Sequence, residues 1–132
     1  MMRKFFAVSL MLVVAGVLAL AQEKASQPVK LTGYLVDNMC AGEHPEADEA
    51  MVETAKGHPT ACSLMPGCSA TGYSLVVDNK IYKLDEAGNK SALTVLKATK
   101  ATKGLRVEVE GSLDGNTLRA TKVAEAKAGK KS

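Results

Sequence analysis

The sequence predicts a mainly β (α+β) domain, a small five-stranded barrel set behind an export signal. Three observations carry that prediction. Short apolar runs alternate with a period of two in five places, the spacing of half-buried strands. Tight-turn residues, Asp78-Asn79 and Asp114-Gly115-Asn116, join two pairs of these runs into hairpins. Outside one stretch rich in cysteine and histidine, only one segment after the signal has the spacing of a longer helix.

The export signal is residues 1–21. Arg3 and Lys4 precede an apolar run from Phe5 to Leu20, and Ala19-Leu20-Ala21 has the small-x-small form of a cleavage site. The run is shorter than the ~20 residues a membrane-spanning helix needs. No cysteine stands at the cleavage point to take a lipid, and an uncleaved anchor is the lesser reading. Cleavage after Ala21 leaves 111 of the 132 residues, enough for one domain, and places the chain in the periplasm or outside the cell. It also removes two cations, leaving 15 basic against 14 acidic side chains. That balance gives no reason to expect nucleic-acid or membrane binding. Base stacking also needs aromatic platforms, and the chain has three tyrosines and no tryptophan.

Residues 22–28 form a polar, flexible lead-in to a domain over 29–124, with an insertion at 38–70 and a basic, disordered tail at 125–132. The first strand is Val29 to Val36, with Leu31, Gly33 and Leu35 on one face and Thr32, Tyr34 and Val36 on the other. Within the insertion, Pro45 to Lys56 reads as a helix. His44 takes its cap, Glu46, Asp48 and Glu49 fall in its first turn, Ala47, Ala50, Met51 and Thr54 form its stripe, and Gly57 is its stop. A second helical turn starts at Pro59 and is ended by Pro66-Gly67. Tyr73 to Val77 and Lys80 to Leu84 form the first hairpin. Gly88 to Thr102 is the long helix, with Ala92, Leu93, Leu96 and Thr99 inward and Gly104 as its stop. Leu105 to Gly111 and Thr117 to Val123 close the chain, with Leu105, Val107 and Val109 pointing in. The order β-insertion-β-β-α-β-β is that of an oligonucleotide/oligosaccharide-binding (OB-like) barrel, although a fold does not fix a function.

The chain resembles a group of small secreted bacterial proteins of unknown function that have such a barrel and a Cys/His-containing insertion. The resemblance is carried by Gly33-Tyr34-Leu35-Val36-Asp37 before Cys40, Gly57-His58-Pro59 before Cys62, Ser69-Ala70-Thr71-Gly72-Tyr73 after Cys68, and the hairpin from Val107 to Leu118. It implies a fold and an export route, and no activity.

Cys40 to Cys68 holds all three cysteines and both histidines. The pairs Cys40-x3-His44 and His58-x3-Cys62 mirror each other, and Cys68 follows. Proline after each histidine disfavours a helical conformation there, so Cys40 and His44 are expected in a loop after the first strand. Three chemistries fit. The favoured reading is a structural or binding domain stapled by one disulfide among Cys40, Cys62 and Cys68, since exported cysteines meet an oxidising compartment. The leftover thiol could then join two copies of the chain. The alternative is a soft-metal site for zinc or copper built from Cys40, His58, Cys62 and Cys68, with His44 and Met65 as substitutes. The odd cysteine count favours metal, whereas the absence of a C-x2-C pair excludes the common zinc-finger spacing. The third reading is thiol-redox chemistry at the leftover cysteine. No third residue is evident to orient a histidine for catalysis, so an enzyme is not expected. Asp37 and Glu43 are candidate partners for a histidine behind a metal. Met39 and Met65 lie beside cysteines, and Met51 reads as core.

Overall fold

The computed structural model describes residues 27–127, and these residues form ten elements. The expected signal at residues 1–21, most of the expected lead-in and the end of the expected tail lie outside the described residues. The strands are β1 (Pro28–Asp37), β2 (Tyr73–Val77), β3 (Lys80–Leu84), β4 (Arg106–Asp114) and β5 (Thr117–Glu125). The helices are α1 (Asn38–Ala41), α2 (Glu49–Gly57), α3 (Thr60–Ser63), α4 (Pro66–Ser69) and α5 (Glu86–Ala98). Among the described residues no helix is long and apolar enough to cross a membrane.

All five strands belong to one sheet, ordered β1-β2-β3-β5-β4, and β4 pairs back onto β1 to close a ring. β1 is long enough to serve both ends of the order. Its first half pairs with β4 (Leu31 with Val109) and its last residues pair with β2 (Leu35 with Leu75). The other contacts are the hairpin β2–β3, the hairpin β4–β5, and a short parallel join of Lys83 and Leu84 of β3 to Thr117 and Leu118 of β5. Opposite Glu110 and Gly111 the register skips Thr121, a bulge that bends β5. A side chain at Gly111 would collide with the Arg119 carbonyl, so glycine is what lets the two backbones approach there.

The period-two pattern places Leu35, Leu75, Val107, Val109 and Leu118 inside the ring, where α5 adds Ala92 and Leu96. A second core lies on the opposite face. Val36, Val76 and Ile81 pack there against Ala41, Ala47 and Ala55 of the insertion, with Met51 and Val52 half-buried beside them. The insertion thus covers the outer face of β1, β2 and β3. This is why β1 ends in three consecutive buried residues, Leu35, Val36 and Asp37, instead of alternating.

The strand reading holds to within a few residues, and the helical reading needs correction. Five helices stand where two and a second turn were expected. α2 starts at Glu49, capped by the Asp48 carboxylate accepting from Met51 N–H at 2.8 Å, so His44 is not its cap. Pro45, Glu46 and Ala47 are extended instead and bond along β3: Ala47 N–H donates to the Asn79 carbonyl and Ile81 N–H to Pro45. The backbone groups at the start of β3, where β5 does not reach, find their partners there. The buried side of α2 is therefore Met51, Val52 and Ala55, with Ala50 and Thr54 exposed. Pro66-Gly67 opens α4 rather than only ending α3. α5 starts two residues before Gly88, capped by Asp85, and ends at Ala98. The last strand runs on through Ala124 and Glu125, taking in the first residue assigned to the tail.

Candidate metal centre

Each cysteine occupies the third position of a one-turn helix: Asn38-Met39-Cys40-Ala41, Thr60-Ala61-Cys62-Ser63 and Pro66-Gly67-Cys68-Ser69. Cys40 is thus helical, not in the expected loop. All three turns lie at the end of the sheet where β1 finishes and β2 begins.

Asp37 is the pivot of this end. It is the last residue of β1, paired with Tyr73 of β2, and has no solvent exposure. Its Oδ1 caps α1 by accepting the Cys40 N–H at 3.0 Å. Its Oδ2 meets His58 Nε2 at 2.8 Å and accepts the Ser63 hydroxyl at 3.4 Å. Tyr73 supports the arrangement by donating its hydroxyl to the Ser63 carbonyl at 2.9 Å.

His58 follows the last residue of α2 and is buried. The segment that carries it is tied to the connection between α5 and β4. His58's carbonyl accepts from Gly104 N–H at 2.9 Å, Pro59 bridges Lys103, and Thr60 N–H donates to Thr102 at 3.0 Å. Gly104 has a φ of +59°, and a side chain there would strike the Lys56 carbonyl. Glycine at this position is a requirement of how closely α2 approaches, rather than the expected stop for α5.

One ligand atom each from Asp37, Cys40, His58 and Cys62 lies within 4.8 Å of all the others. The ligand atoms of a tetrahedral zinc site stand about 3.3–3.8 Å apart, given Zn–N and Zn–S bonds of about 2.0 and 2.3 Å. The four groups are thus a short contraction away from such a site. Asp37 and His58 are buried, Cys62 is half-buried and Cys40 is exposed. One wall of the cluster therefore faces solvent.

The charges suit a cation. Burial pushes the Asp37 carboxyl upward. The His58 hydrogen bond, the Cys40 N–H and the nearby His58 charge outweigh it and hold the carboxyl below its usual range. Two of the thiols, Cys40 and Cys68, move the other way. Withdrawal of its sulfur from water, then the Asp37 charge, raise Cys40 to about 11. Cys68 is raised by burial first, then by Asp37 and Cys62. Without an ion Cys40 and Cys68 stay protonated beside an anionic carboxylate. A bound dication would reverse that and ionise the sulfurs that ligate it.

Of the residues singled out from sequence, Cys40, His58 and Cys62 come together. Cys68 is buried beside Cys62 and Asp37 but falls outside the four that meet mutually. His44 does not join them. It stands exposed on an open groove beside Pro45, Met51 and Ile81, because the extended run after it leads the chain to β3. Met65 and Met39 are 56% and 61% exposed, and Glu43 is exposed. All three cysteines are free thiols, so the expected bridge among Cys40, Cys62 and Cys68 is not formed in this structure. Asp37 is promoted from a partner of the histidine to a candidate ligand. Its signal was the spacing Asp37-x2-Cys40, that of a cap and the third residue of a helix.

No protein-family model matches the chain, and neither a curated protein nor a solved structure shows significant similarity to it.

Proposed function

We propose that this is an exported metal-binding protein in which Asp37, Cys40, His58 and Cys62 hold one zinc ion at the end of an OB-like barrel. The observation that carries the reading is the mutual approach, within 4.8 Å, of four donor atoms. They come from the end of β1, from α1, from the exit of α2 and from α3. The donor types select the ion. Two thiolates and an imidazole suit zinc or copper, and a carboxylate oxygen alongside them favours zinc over Cu(I), which prefers sulfur. Four protein donors fill a tetrahedral shell and leave no place for a substrate, the pattern of a structural or carrier site. The ion would tie the end of β1 to the insertion. Export through residues 1–21 would place this chemistry in the periplasm or outside the cell.

Elemental analysis and zinc titration of the reduced full chain test the reading. One zinc per chain is expected. Binding is lost in the Cys40→Ser/Cys62→Ser double variant and in His58→Ala, and kept in Cys68→Ser. Stoichiometric copper with no zinc would reassign the ion. Metal uptake indifferent to Cys40, Cys62 and His58 would sink the site.

A further inference from the structure

The two sulfurs assigned to the ion are also within 4.8 Å of each other, and both are free. A disulfide needs them about 2.05 Å apart. Cys40 is exposed and stands on a single helical turn, so a change of side-chain rotamer can move its sulfur without dismantling a longer element. Cys62 sits on a second single turn facing it. Holding zinc and bonding to each other are mutually exclusive uses of the same pair.

We propose that the centre releases its zinc on oxidation, with peroxide converting Cys40 and Cys62 into a disulfide. The proposal rests on the metal reading above. Cys40 is the exposed residue of the pair and reacts first, as its thiolate. It attacks one peroxide oxygen, the O–O bond breaks, and the departing hydroxide takes a proton to become water. The Cys62 thiolate then attacks the Cys40 sulfenic sulfur. The S–O bond breaks, a second water leaves, and the S–S bond forms. Two thiolates have given up two electrons, and the peroxide has taken those electrons and two protons. The zinc loses two of its four ligands at once. Cys68 is buried, and so is shielded from the oxidant.

The test uses the full chain loaded with zinc, both unaltered and as Cys68→Ser, which leaves a single thiol pair. Hydrogen peroxide is added, zinc release is followed with a chromogenic chelator, and linked peptides are mapped by mass spectrometry without reduction. The expected result in both proteins is one zinc released per Cys40–Cys62 link, with binding restored by dithiothreitol. Release without that link, a link that leaves zinc bound, or a Cys62–Cys68 link with no response in Cys68→Ser would each overturn the proposal. Failure of the metal reading looks different, because the reduced protein would take up no zinc at the outset. A Cys40–Cys62 link formed in such a protein would be a plain staple, and release would be refuted with it.

Discussion

Asp37 concentrates the chemistry of this chain in one side chain. A fully buried carboxylate is costly unless each oxygen is engaged, and here Oδ1 caps α1 while Oδ2 meets His58 and Ser63. Asp37→Asn keeps the shape and removes the charge. Zinc affinity is expected to fall at least tenfold, read by competition with a chelator, because the variant loses an anionic donor and the group that orients His58. The metal-free protein carries a pH signature of the same carboxyl. Its folded pKa lies below the unfolded one, so its contribution to stability is present above the unfolded value and lost as pH falls through the folded one. Acid titration followed by circular dichroism should show that loss, and Asp37→Asn should flatten it. Cys40 offers a complementary readout. With its thiol pushed up to about 11, it should alkylate slowly with iodoacetamide at pH 8 despite its exposure, and faster as pH approaches 11. Rapid alkylation at pH 8 would show that burial and the Asp37 charge do not hold the proton on that sulfur.

The elements reveal which features local sequence rules could read. The hairpin through Asp78-Asn79 was legible because alternation and turn chemistry agree, and Asp78 takes the positive φ that such a turn demands. α5 was legible because Ala92, Leu93 and Leu96 repeat at helical spacing. The insertion was not, because its one-turn helices are too short to show a period and are held by tertiary partners. Asp37 caps α1, and Thr60 is anchored to Thr102. The acidic run after Pro45 also misled. Pro45 to Ala47 satisfy the start of β3, a demand set more than thirty positions away. Gly104 is the sharpest test of these long-range supports. Gly104→Ala adds one methyl against the Lys56 carbonyl at a positive φ. It should lower stability by about 1–3 kcal/mol in urea unfolding and weaken zinc binding through His58, which no residue of the site itself would explain.

For the molecule as a whole, the closed ring makes the inner core a shared resource of all five strands. Leu118 is fully buried where β5 meets both β3 and β4. Leu118→Ala should cost about 2–5 kcal/mol, seen as one cooperative transition at lower denaturant. The metal should act on the same transition, since an ion bound only by the folded state stabilises it by ~2.7 kcal/mol at a hundredfold excess over Kd. Chelation with EDTA is therefore expected to lower Tm in the unaltered protein and leave it unmoved in the Cys40→Ser/Cys62→Ser variant.

The length of β1 has a practical corollary. Its ten residues separate Pro28 from Asp37 by about 30 Å. A label, resin or fusion partner attached ahead of Pro28 stands a full strand away from the thiols. The opposite end is less neutral. Ala126 N–H still bonds to Arg106, which lies across from Tyr34, only three positions before Asp37. A polyhistidine extension there would bring stray imidazoles towards the very ion being assayed, so purification handles for this protein belong at its front.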